Sequence, residues 1–191
     1  MTQQTKSIIE SVKDGVVGSI RGAGEITDAV VNTVSGSVIN LIEKTGATGA
    51  ALTTAMAEVA RGAMEGVAAI GGDVGKAAKG TVIGVLRGTR EVGAEASETI
   101  SATAGAVVKS TADIGGSVGS AARGAVEGAI DAAKELGLSV EDAASAAAGG
   151  ALKAAGDVSS AAVDQVRDAL TGTISGVKVV LKEPFKRERD E

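Results

Sequence analysis

"IGGDVGKAAKGTVIGV" runs from Ile70 to Val85, and "IGGSVGSAARGAVEGA" follows 44 residues later, from Ile114 to Ala129. Ten of the sixteen positions are identical, and Lys79 becomes Arg123. How this glycine-rich echo is read decides the fold. Forty-four is four elevens, so each residue n can be placed in a column given by (n − 12) modulo 11. Column 9, from Arg21 to Ser175, then contains no apolar residue, and column 0, from Val12 to Val177, contains no charge. Columns 3, 4 and 7 are also free of charge between Val12 and Leu181, and column 8 carries one, Glu141. Eleven residues in three turns correspond to about 98° per residue. On that wheel columns 0, 3, 4, 7 and 8 form one apolar stripe roughly 130° wide, with column 9 on the far side. A strand would need a period of two. The chain is all-α.

The register holds over about fifteen repeats, and the single Pro stands at position 184. The simplest expectation is one long, largely continuous helix through residues 12–181, about 250 Å long at 1.5 Å per residue. Residues 1–11 form a polar lead-in and 182–191 a charged tail. The alternative is a helical hairpin broken at a GlyGly pair, of which 71-72, 115-116 and 149-150 are the candidates, because duplication copies turns together with helices. A weaker 22-residue beat places Gly49, Gly71, Gly93, Gly115 and Gly137 in column 4. They are expected to mark close contacts within the stripe.

Glycine costs about 0.8–1 kcal/mol more than alanine inside a helix. A helix this rich in glycine needs its stripe covered. The assembly face is expected at Val12, Val34, Val67, Val74 and Val82, continuing through Ile100, Ile114, Val118 and Val166. At one border of the stripe every charge in column 1 is positive, including Lys79, Arg90, Arg123 and Lys134. Beyond it every charge in column 2 is negative, including Glu91, Asp113 and Glu135. The opposite border is small: Gly66 and Gly88 in column 10, Gly62, Gly84, Gly128 and Gly150 in column 6. Small residues let another helix approach closely. In a parallel array the cationic flank of one helix crosses the small flank of the next and reaches its acidic residues. Antiparallel neighbours would bring like flanks together.

This eleven-residue pattern resembles the hendecad coiled coils, whose helices pack straight or with slight right-handed supercoil. The resemblance implies a multi-helix coiled coil or barrel. "SVKDGVVGSI", from Ser11 to Ile20, also resembles in style the lipid-surface repeats of synucleins, perilipins and late-embryogenesis-abundant proteins. That likeness implies a peripheral coat on an apolar surface.

Composition narrows function. The chain of 191 residues has no His, Cys, Trp or Tyr and one Phe. Without His or Cys the usual general base and thiolate nucleophile are missing. Catalytic, cofactor and metal residues are therefore expected to be none. The net charge of −5 argues against nucleic acid as a partner. The longest uncharged run, Ala29 to Ile42, is too short to span a bilayer, and the N-terminus reads as no secretory signal, so a cytoplasmic protein is expected. The leading expectation is a non-enzymatic structural protein that assembles with itself through parallel helices into a bundle, barrel or fibre. The alternative is a coat protein peripheral to a membrane or lipid body.

Overall fold

Gly71 and Gly115 decide between the two architectures. Both adopt positive φ, +66° and +70°, a conformation glycine enters without steric cost. The Gly71 N–H donates to the Ala68 carbonyl at 3.0 Å, and the Gly72 N–H donates to the Val67 carbonyl at 2.9 Å. Gly115 and Gly116 repeat the pair of bonds onto Ala112 and Thr111. This double closure satisfies the last carbonyls of a helix and reverses the chain. Asp73 and Ser117 then cap the next helix, their side chains accepting from the backbone N–H of Lys76 and Ser120. The echoed sequence is thus a helix stop, a turn and a helix start.

The computed structural model describes residues 3–21, 25–90 and 95–179. Among them are eight helices: α1 Gln3–Arg21, α2 Ile26–Thr45, α3 Gly49–Ala69, α4 Val74–Thr89, α5 Ala96–Asp113, α6 Val118–Leu136, α7 Val140–Val158 and α8 Ser160–Leu170. A short antiparallel hairpin comes after them, β1 Thr173–Ile174 with β2 Val177–Lys178. The expected continuous helix is therefore corrected to a succession of short ones. Four of the column-4 glycines stand at its turns. Gly71, Gly115 and Gly137 end helices at positive φ, and Gly49 starts α3 at +55°; Gly93 lies outside the described residues. Helix plus turn occupies about two elevens, so the wheel register passes through every turn without slipping. The straight coiled-coil or barrel arrangement is lost with the long helix.

Of the candidate breaks, the one at 149-150 does not occur, since both residues lie inside α7 as the continuous-helix reading had it there. The lead-in over 1–11 is helical from Gln3. The repeat helix stops at Leu170, not at 181. Gly172 and Gly176, at φ +106° and +84°, bracket β-branched Thr173, Ile174 and Val177 into the hairpin. The tail 182–191 lies outside the described residues.

Helices pack in two layers. Odd helices succeed one another, α1 on α3, α3 on α5 and α5 on α7; even helices do the same, α2 on α4, α4 on α6 and α6 on α8. Consecutive helices join the layers. The apolar stripe faces inward between them. Val12, Val34, Val67, Val82, Ile100, Val118 and Val166 are all buried, and Val74 and Ile114 pack partly buried against the cluster that holds Val12, Val34 and Val67. Thr81, Thr89, Thr103 and Thr111 are buried within it, each hydroxyl donating to the carbonyl four residues back at 2.7–2.9 Å. Among the described residues no buried side-chain nitrogen or oxygen lacks a hydrogen-bond partner. No helix among them is long and apolar enough to cross a membrane.

Candidate functional site

The distinctive surface of this fold is the seam between each helix and the one two places on. Gly80, Gly84 and Gly88 lie on successive turns of α4, facing Val30, Val34 and Val38 of α2. A Cβ placed on Gly84 would sit 2.8 Å from the Val34 Cβ and 2.9 Å from the Val31 carbonyl oxygen. Gly62 and Gly66 of α3 meet Ile9, Val12, Lys13 and Val16 of α1 in the same way. Further along, backbone meets backbone. Gly124 lies against the Gly75 carbonyl, Gly128 against that of Lys79, and Gly150 of α7 against that of Ser101 on α5. In each seam the contacts advance together along both helices, so same-layer neighbours run parallel. Any side chain at these glycines would hold the helices apart, outweighing the helix propensity it would add.

Ion pairs span the α4–α6 seam. Lys79 Nζ lies 2.7 Å from Asp131 Oδ2. Arg87 binds Glu135 with two nitrogens, at 2.9 and 2.7 Å. The cations thus cross the glycine flank to carboxylates of the next helix. Both pairs are substantially exposed, and such pairs are worth about 0–1 kcal/mol each. The other flank charges serve elsewhere. Arg123 pairs within α6 with Glu127 at 3.1 Å, Lys134 and Arg90 are exposed, and Asp113 is the exposed last residue of α5. Glu91 lies outside the described residues. Within α3, a hydrogen bond from Arg61 to Glu65 raises the guanidinium above its ordinary range, against some desolvation, and the charges of Glu65 and Asp113 add to the shift.

The odd layer also carries an open groove of about 580 Å³. Its floor is α5, with Ser101, Ala102, Gly105 and Ala106; Thr53 and Ala57 of α3 wall one side and Gly150 and Ala154 of α7 the other. Glu98, Lys109, Lys153 and Asp157 rim it. The groove owes its shape to small side chains, with the hydroxyls of Thr53, Thr54 and Ser101 in its lining. Among the described residues no group of three or more carboxylates could hold a metal ion.

The nine residues expected to form an assembly face are thus used inside the chain, and Gly49, Gly71, Gly115 and Gly137 in turns. The close contacts belong instead to the small flank of columns 6 and 10, joined by Gly80 and Gly124. Those last two stand in column 2, among the carboxylates, where nothing on the wheel singles them out. No protein-family model matches the chain, and no curated protein matches it either.

Proposed function

We propose that this chain is a non-enzymatic structural protein that assembles with copies of itself through parallel helix flanks. One observation carries the reading. The seam between parallel neighbours has two different sides, a glycine seat and the ridge that fills it, and the chain repeats this unlike pair along both layers. Contacts of that kind contain no symmetry that ends them, so they close into a ring or continue. Helical-repeat proteins also tend to work through extended surfaces of this kind. The reading as a lipid coat has against it that the apolar stripe is buried between the layers; reaching lipid would require the layers to part.

Sedimentation velocity across a wide concentration range tests the proposal. The expected result is a mass that rises in steps of one chain. A single monomeric species up to the solubility limit would overturn it. A monomer in water that partitions onto phospholipid vesicles would favour the coat.

A further inference from the structure

We propose that the copies stack head to tail, the N-terminal edge of one chain (α1 and α2) receiving the C-terminal edge (α7 and α8) of another. This rests on the self-assembly reading and specifies its partner and its surfaces.

The internal seams supply the template. Gly62 of α3 is seated on Ile9 and Val12, and Gly80 of α4 on Thr27 and Val30. Forty-four residues before each stands another glycine at the equivalent place, Gly18 on α1 and Gly36 on α2. A Cβ on either would meet nothing within 4 Å. These are seats without a ridge. The opposite edge shows the converse. Gly105 of α5 lies 3.2 Å, by its would-be Cβ, from the Gly150 carbonyl of α7. Its equivalent on α7, 44 residues on, is Gly149, which is exposed and likewise meets nothing within 4 Å. Two glycine seats are open at one end of the layers, and at the other the forward face of α7 is open at Gly149.

Charge fixes the register. The Lys79–Asp131 pair bridges α4 and α6 at 2.7 Å. Moving its cation two units forward, 88 residues, gives Arg167 on α8. Moving its carboxylate two units back gives Glu43 on α2. Both are exposed and opposite in sign. Within the chain Arg167 has only a long contact with Asp164, 3.9 Å. In the stacked arrangement Arg167 of one copy meets Glu43 of the next as Lys79 meets Asp131. Within the hairpin that follows α8, Ile174 and Val179 are buried into the core, and β2 packs on α7.

The test uses the full chain and separates folding from stacking. In Gly18→Leu/Gly36→Leu the new side chains enter open space in the single chain, so its helix content and melting temperature hold or rise. Stacking is expected to weaken by about tenfold or more, the effect of overpacking a fitted seam. Glu43→Lys and Arg167→Glu are each expected to weaken stacking about two- to fivefold, as exposed pairs do, and the double reversal Glu43→Lys/Arg167→Glu to restore it. Stacking unchanged by the two leucines, or a double reversal no better than either single one, overturns the head-to-tail arrangement while leaving self-assembly through another face. A wild-type chain that stays monomeric removes the self-assembly reading itself.

Discussion

Gly71-Gly72 and Gly149-Gly150 are the same dipeptide in the same chain, and they do opposite things. The first ends α3 and turns the chain. The second continues α7 and lets it touch the backbone of α5. Their neighbours account for the difference. Gly71-Gly72 is succeeded by Asp73, which accepts from the Lys76 N–H at 3.0 Å and so starts a helix. Gly149-Gly150 stands between Ala146-Ala147-Ala148 and Ala151-Leu152, strong helix formers without a capping side chain. Even within the second pair the roles divide, because Gly150 is buried against the Ser101 carbonyl while Gly149 faces open space. A glycine's meaning therefore comes from the residue after it along the chain and from the backbone opposite it across the seam.

This contrast can be broken in four places. The largest effect is expected at Gly150→Val, which forces a branched side chain into the Ser101 backbone and should cost about 3 kcal/mol, read as a lowered urea midpoint. A variant as stable as the parent would mean that α5 and α7 do not approach as closely as described. Next comes Gly71→Ala. The φ of +66° makes a Cβ cost about 1–2 kcal/mol, although there is room for it; a gain in stability would show that α3 runs on past Ala69. Asp73→Ala should cost about 1 kcal/mol through loss of the cap, and Asp73→Asn, which keeps an accepting oxygen, should recover most of it. The smallest effect has the opposite sign. Gly149→Ala should stabilise the chain by about 0.8–1 kcal/mol, raising its melting temperature. If it destabilises, the pair at 149-150 is a turn after all and the contrast disappears.

The sequence carries the inward face of every helix far better than it carries their ends. An eleven-residue column reports which way a side chain points, and burial of Val12, Val34, Val82 and Ile100 is its direct result. It does not report whether the backbone continues. A turn that preserves the register leaves every column intact, and a glycine suits both a stripe and a left-handed turn. The signal that separates them is local: a capping residue, Asp73 or Ser117, directly after the pair at 71-72 or 115-116, and none after 149-150. The parallel, two-sided packing is legible in the sorted flanks, but not which chain supplies it. The flanks alone suggest parallel neighbours from separate chains, whereas α2 and α4, or α5 and α7, are supplied by one chain with an antiparallel helix between them. Of the flank charges, Lys79 and Glu135 do cross a seam. Arg123 instead pairs with Glu127 four residues on along its own helix, a spacing the sequence shows but the flank columns do not.

Contacts of substance in this chain join helices one or two places apart, and the residues that meet across a seam, such as Val34 with Gly84, are about fifty positions apart. Information about folding therefore travels by adjacency. No late event has to bring α1 to α8, so structure can begin at any neighbouring trio and spread in both directions, as in other one-dimensional arrays. Cooperation should decay with distance along the layers. In the single, unstacked chain, amides in α4 through α6, flanked on both sides, should exchange with solvent only in the rarest openings, while those of α1 and α8, flanked on one side, should exchange through fraying that leaves the centre untouched. For the same reason the 44-residue unit is a natural quantum of length: removing or adding one leaves each surviving helix with neighbours of the kind it already had.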